Sequence, residues 1–326
     1  MRADRTFATL VALALLSLAL PVALAARLLP VALAAAAGGW APHRAGVVGT
    51  ACSRLFAILP GGAATMALLA GALLVASVVL SVRVAWRQWR AGARLSAAVR
   101  RARCRLPPSL VARLQGWGLA DRVDLVEVTR PAAFTYGWWT PRVCLTAGLV
   151  ALLGPDELAA VLRHERHHVA RRDPLRLLWA RALAAGAFFV PALRDVQTHG
   201  LTLLEVAADD AATAPPHGPS ALARALYALL QHGAAETTSA SVPPAGHLPR
   251  RGHVASDGAD ARTATDPLWS LDGGAVGFGP APREVLDARI DHLLNPQQPL
   301  PVPWSPQRAV VTGALLTAAA CLLLFL

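Results

Sequence analysis

Residues 164–168 read His-Glu-Arg-His-His, an H-E-x-x-H run. On a helix, residues four apart project from one face, so His164 and His168 can present both imidazoles to a single metal ion. Glu165 stands beside the first of them, where its carboxylate can act as a base on a water that the metal activates. His167 lies three residues after His164 and competes for the ligand role. The i, i+4 pairing keeps Glu165 placed as the base, which leaves His167 as an outer or surface residue. A second pair of acids follows in LTLLEVAADDAA: Glu205 and Asp209, again four apart, in an Ala-rich helical stretch. A zinc site of two histidines and one carboxylate takes its third ligand from a second helix. It also gains from an outer acid that accepts the free ring N–H of a ligand histidine. Glu205 suits the first task and Asp209 the second. The flanking Leu203, Leu204, Val206, Ala207 and Ala208 argue against a solvated acidic face.

Several elements must hold these side chains together. Gly154-Pro155-Asp156-Glu157 is a helix start, with proline early and acids in the first turn. Leu158, Val161, Leu162 and Val169 give that helix an apolar face, and Asp173-Pro174 should end it. Ahead of it, residues 110–117 read as a short helix closed by Gly118. Residues 123–128, 132–136 and 142–146 read as short strands, punctuated by Gly137 and Pro141. After Asp209, residues 220–231 read as a helix, 234–266 as a flexible insert without periodicity, and 283–294 as helix again. Residues 106–233 form the expected metal-bearing domain, followed by a juxtamembrane region at 267–306.

The chain is 55% hydrophobic with a mean hydropathy of +0.44, too apolar for an ordinary soluble domain. Uncharged runs at 7–26, 61–82 and 309–326 are long enough, or nearly so, to cross a bilayer. Transmembrane helices are therefore expected at 7–36, 61–82 and 308–326. The first has an alternative as a signal peptide, with Arg2 and Arg5 ahead of it and Ala23-Leu24-Ala25 as a cleavage site. From Arg83 to Arg105 there are eight arginines and no acid. The positive-inside rule then places this basic connector, 83–105, and the domain after it on the cytoplasmic side. Residues 175–193 are apolar but hold Arg176 and Arg181. A single crossing there would put His164 and Glu205 on opposite sides of the membrane, so the segment must be interfacial, packed or re-entrant.

Net charge is +11, with all 31 basic residues arginine. No nucleic-acid motif accompanies the charge, and its juxtamembrane clustering is what topology and anionic headgroups require. Nucleic acid is not an expected partner; the lipid bilayer is. Cys52, Cys104, Cys144 and Cys321 lack C-x-x-C spacing, which excludes a cysteine zinc site and a disulfide framework. Cys104, among arginines, is either an inert thiol or an acylation site.

The run AAFTYGWWTPRVCLTAGLVALLGPDELAAVLRHERHHVARRD, with FFVPAL and LEVAADDAA after it, resembles the bacterial membrane metallopeptidases related to the BlaR-type sensor-transducers. The resemblance covers about residues 106–235. HtpX-type and prenyl-protein-processing membrane peptidases share the H-E-x-x-H and E-x-x-x-D framework and rank second. The resemblance implies Zn2+ held by His164, His168 and Glu205, Glu165 as base and Asp209 in support. It also implies that the 132–146 hairpin borders the cleft, where an edge strand could pair with an extended substrate. Ala208 stands where relatives often have cysteine. No penicillin-binding domain follows the last span, so direct beta-lactam sensing is not expected.

The expected fold is a mainly α integral membrane protein: a helical zincin-type, gluzincin-like peptidase domain with a small β-hairpin or sheet, flanked by transmembrane helices. The expected activity is zinc-dependent hydrolysis of peptide bonds in a cytoplasmic or membrane protein, at the cytoplasmic face of the cell membrane, with a transcriptional repressor as one direct or indirect target. Alternatives are HtpX-like quality control of membrane proteins and a catalytically silent transducer; a transporter is disfavoured because the spans hold hardly any ionisable residues beyond their edges. Tyr136, His199 and His217 are candidates to stabilise the oxyanion.

Overall fold

Length and apolar composition meet first in α1 (Gly62–Ala102), a 41-residue helix. It covers the expected span from residue 62 to 82 and continues without a break through nearly all of the basic stretch, because Ala, Leu and Arg are good helix formers and proline is absent. Among the described residues it is the one helix long and apolar enough to cross a membrane, over Leu68–Ala102. Leu68, Val75 and Val82 are exposed, as on a helix whose apolar surface protein does not cover. The computed structural model describes residues 62–240, 277 and 283–295, with scattered positions within 7–26 and 307–312. The spans expected at 7–36 and 308–326 lie largely outside these residues; the positions described there are helical.

Two compact units divide the chain. One comprises Met1–Arg87, Arg176–Leu203 and Pro299–Leu326; the other comprises Gln88–Leu175 and Leu204–Gln298. In the first, the Arg176 guanidinium lies 4.7 Å from the centre of the Phe7 ring, a cation–π contact. Most of residues 175–193 form α5 (Asp173–Gly186) and a short 3-10 turn at Pro191–Leu193.

The second unit is built on a four-stranded sheet. Its strands are β1 (Arg103–Cys104), β2 (Val123–Val126), β3 (Ala133–Tyr136) and β4 (Arg142–Thr146), in the order β1-β2-β4-β3. The expected hairpin is present as β3 antiparallel to β4, with Ala133 opposite Leu145 and Tyr136 opposite Arg142. What apolar periodicity does not disclose is pairing: β2 runs parallel to β4, with Val123 opposite Val143, and β1 adds an antiparallel edge. Alternate residues face opposite sides of a strand. Val123, Leu125, Ala133, Val143 and Leu145 join one core with α2 (Pro108–Gln115) and α4 (Pro155–Arg171). Val126, Phe134, Tyr136 and Cys144 pack on Leu95 and Val99 of α1. Both faces are covered, which is why these strands read as apolar runs. At the hairpin tip, Trp138 stacks on Trp89 with ring centroids 6.2 Å apart. Gly92 permits this: a Cβ there would lie 2.3 Å from the Trp138 ring.

After β4, Thr146 caps α3 (Ala147–Leu152), its side chain accepting from the Leu149 N–H at 3.2 Å. α4 starts as its sequence requires: Pro155 occupies the first turn, and the Gly154 N–H donates to Glu157 Oε2 at 2.8 Å. It ends at Arg172, whose φ of 54° is left-handed, and α5 begins at once with Asp173. Then come α6 (Arg194–Thr213), α7 (Ser220–Ala240) and α8 (Arg283–Leu294). α7 runs beyond the expected end at 231, so residues 234–240 of the expected flexible insert are helical. The remainder of that insert lies outside the described residues.

Candidate metal centre

α4 turns three buried polar side chains to one side: His164, Glu165 and His168, each 0% exposed. α6 brings Glu205, 1% exposed, against them. The two Nε2 atoms lie 3.0 Å apart. Glu205 Oε2 is 3.2 Å from His164 Nε2, and Glu205 Oε1 is 3.7 Å from His168 Nε2. These three residues form a group able to hold a metal ion. The edges of a tetrahedron around an ion about 2.05 Å from each ligand are about 3.3 Å long, and the three separations bracket that value. Two imidazole nitrogens and a carboxylate are also the donor set that suits zinc and leaves a fourth position open.

The other nitrogen of each imidazole is anchored. His164 Nδ1 lies 2.8 Å from Asp209 Oδ1, and His168 Nδ1 lies 2.8 Å from Asp173 Oδ2. Such anchoring fixes ring orientation and turns each Nε2 towards Glu205. The sequence points to Asp209 for this support but reads Asp173 only as a helix stop. The i+5 spacing from His168 becomes contact because the chain leaves α4 through the left-handed Arg172.

Arg289 of α8 is the residue that sequence reasoning misses. It is 2% exposed. Its Nε and Nη2 donate to the two oxygens of Asp209 at 2.8 and 2.7 Å, and its Nη1 is 3.0 Å from Glu205 Oε2. One guanidinium therefore braces both acids of the E-x-x-x-D pair. The available signal is an arginine on the apolar side of REVLDARIDHLL, beside Val285 and Leu286; nothing local says what it pairs with. Thr135 of β3 donates to Glu165 Oε2 at 2.7 Å. The N–H of Gly277 donates to Glu205 Oε1 at 2.9 Å. With φ at +138°, a Cβ on Gly277 would meet Glu165 Oε1 at 2.2 Å, so only glycine fits.

Charge follows from these contacts. Burial opposes ionisation of Asp209, but Arg289 and His164 outweigh it and hold its pKa down at about 2. Burial likewise raises Glu205, while Arg289 and the two histidines carry its pKa below the usual range. For His164, burial favours the neutral ring, and Asp209 with Glu205 reverses this, raising its pKa to about 9 in the metal-free protein. A metal ion must displace that proton to bind.

The oxyanion candidates are placed elsewhere. The Tyr136 hydroxyl donates to Asp124 Oδ2 at 2.6 Å, and burial with that contact pushes its pKa up. His199 belongs to the first unit. His217 lines a cavity with Arg163 and Arg166. Cys104 donates its thiol to the Leu125 carbonyl at 3.3 Å, and burial pushes the Cys144 thiol up. Cys52 and Cys321 lie outside the described residues.

Residues 110–214, 105 of the 326, match the family described as Peptidase family M48. The matched stretch contains His164, Glu165, His168, Glu205 and Asp209 and ends before Arg289. A Protease HtpX homolog of Thermoplasma acidophilum is 43% identical over 60 residues, which cover 17% of this chain and 18% of that relative. A Protease HtpX homolog of Methanothermobacter thermautotrophicus is 33% identical over 70 residues, covering 21% and 27%. The chain thus spans less than a third of the length of these curated relatives. No solved structure matches it. Both of these relatives are of the HtpX-type group, the second of the two that the sequence resembles.

Proposed function

We propose that this chain is a membrane-anchored, zinc-dependent endopeptidase. The observation that carries the reading is the convergence of His164 Nε2, His168 Nε2 and the Glu205 carboxylate around one point, with Glu165 buried beside them. The match to the M48 family supports it, as do the two relatives named as proteases. The apolar helix α1 supports attachment to the bilayer, and the arginines from Arg83 to Arg105 support a cytoplasmic active site.

His164, His168 and Glu205 would hold the zinc, which when bound supplies a Lewis acid and lowers the pKa of a water towards neutrality. Glu165 takes the proton of the attacking water as the new C–O bond forms and returns it to the amine nitrogen as the peptide C–N bond then breaks. The Thr135 hydroxyl holds Glu165 by Oε2. Asp209 and Asp173 keep the two imidazoles turned, and Arg289 keeps Glu205 and Asp209 ionised and aimed. β3 is an edge of the described sheet and carries Thr135, so an extended substrate pairing with it would run past the base.

The substrate in this reading is a protein or peptide at the membrane or in the cytoplasm. Regulated cleavage, with a transcriptional repressor as direct or indirect target, is the role the BlaR-type resemblance suggests. A second reading, turnover of membrane proteins, is favoured by the likeness to the HtpX homologs. The test of the chemistry is Glu165→Gln. It should keep its zinc and lower cleavage of a casein-like substrate by about 10²–10⁴-fold. Wild-type rates in this variant would overturn the mechanism, and absence of cleavage by both proteins would favour a silent transducer.

A further inference from the structure

The tip of the β3–β4 hairpin reads Gly137-Trp138-Trp139-Thr140-Pro141, and Gly137 makes the turn at a φ of 88°. Trp138 folds inward, buried against Trp89 of α1 with the two ring planes 13° apart. Trp139 turns outward and is 59% exposed; Trp89 is 42% exposed, and Trp86, three residues earlier on α1, is exposed as well. Indole surface left in water is unfavourable, yet here a stacked pair holds it in place at a fixed tip. Arg87, Arg90 and Arg94 are exposed on the same stretch of α1. The sequence carries no acid from Arg83 to Arg105, nor any from Val128 to Pro155. Indoles with arginines and without acids are the chemistry that suits the boundary between acyl chains and anionic headgroups.

We propose that Trp139 and Trp89, bracketed by Trp138, seat the hairpin tip in the headgroup layer of a bilayer containing anionic phospholipid. The seat depends on α1 being the membrane anchor. Trp89 stands seven residues beyond Val82, where the uncharged run of α1 ends, a rise of about 10 Å. Helical side chains lean toward the N-terminus, so the Trp89 ring reaches back toward the apolar run. The headgroup layer is itself about 5–8 Å thick on each side, within reach of a ring so placed. Thr135, which holds Glu165, lies four residues before Trp139. Seating the tip therefore fixes how the candidate metal centre and the β3 edge are turned toward the membrane surface.

The test is fluorescence of the full chain, its native cysteines replaced by alanine, with an environment-sensitive dye on Thr140→Cys, Val75→Cys or Glu127→Cys. Each is reconstituted in vesicles of phosphatidylcholine and phosphatidylglycerol that carry nitroxide-labelled lipid. Glu127 follows β2, at the end of the sheet away from the tip. The dye at 140 should be quenched by nitroxide at the headgroup, the dye at 75 by nitroxide deep in the acyl chains, and the dye at 127 by neither. Adding Trp139→Gln should bring quenching at 140 down to the level at 127, and leaving out phosphatidylglycerol should reduce it. Trp139 is exposed, so this variant retains the fold, which circular dichroism checks. With the native cysteines in place, brominated lipid should quench more tryptophan emission in the wild type than in Trp139→Gln. Quenching at 140 no greater than at 127, or unchanged by Trp139→Gln, overturns the proposal while quenching at 75 upholds the anchor. No quenching at 75 overturns the anchor and the seat with it. Equal quenching at 140 without phosphatidylglycerol overturns the part given to anionic lipid.

Discussion

Two buried carboxylate clusters in the second unit use similar ingredients to opposite ends. Asp124 is 2% exposed and saturated with donors. It accepts from the Tyr136 hydroxyl at 2.6 Å and from Arg142 Nη2 at 2.9 Å, and Arg103 Nε lies 3.0 Å away. Its lone pairs have protein partners, and the cluster staples β1, β2, β3 and β4 together. At the candidate metal centre, Glu205 and two Nε2 atoms face one another across 3.0 to 3.7 Å. Arg289 braces the acids from behind, yet the facing atoms are all potential acceptors once the proton on His164 is gone. A buried cluster that satisfies itself is a structural joint. One whose ligand atoms converge offers a cation a place to bind.

Breaking each arginine contact separates the two kinds. Arg289→Met should cost about 3–5 kcal/mol of stability, because it strands two buried acids, and should release zinc. Arg142→Met should cost about 1–3 kcal/mol and leave zinc affinity unchanged, since Arg103 and Tyr136 still serve Asp124. Chemical denaturation with a zinc competition assay reads both. Equal loss of zinc in the two variants would erase the distinction.

The outer acids should give a smaller effect on the same axis. Asp173→Ala and Asp209→Asn should each weaken zinc binding about 10–100-fold, whereas Asp124→Asn should lower the melting temperature without altering zinc affinity. A Tyr136→Phe variant should likewise keep zinc and, if the hydroxyl is confined to Asp124, retain turnover.

The mildest test is pH. The pKa of His164 rises from 6.5 to about 9 in the metal-free fold. Its contribution to stability is therefore fully present below pH 6.5 and is lost as pH rises through 9. Asp209, held down from 3.8 to about 2, contributes above pH 3.8 and loses that contribution as pH falls through 2. The metal-free protein should thus lose stability between pH 6.5 and 9 while its zinc affinity climbs, because the ion displaces the His164 proton. Melting curves and zinc titrations at matched pH check the opposed slopes.

The asymmetry between α4 and α8 shows how much the sequence discloses. His164, Glu165 and His168 are legible because their geometry is local: one helix and one spacing bring them together. Glu205 and Asp209 are legible because a second carboxylate pair at helical spacing is what such a site lacks. Arg289 is not, since its role exists only once α8 packs on α6. The strands were readable as apolar runs, but parallel pairing of β2 with β4 depends on contacts that periodicity does not encode. Asp173 illustrates the middle case: the residue that ends α4 is also the one that anchors His168, and only the turn at Arg172 joins the two facts.

Metal analysis of the full chain purified in detergent tests the central claim most directly. The wild type should carry about one zinc ion per chain; His164→Ala and Glu205→Ala should carry almost none, and Asp124→Asn should match the wild type. Full zinc retention by both His164→Ala and Glu205→Ala would contradict the assignment of these residues as ligands.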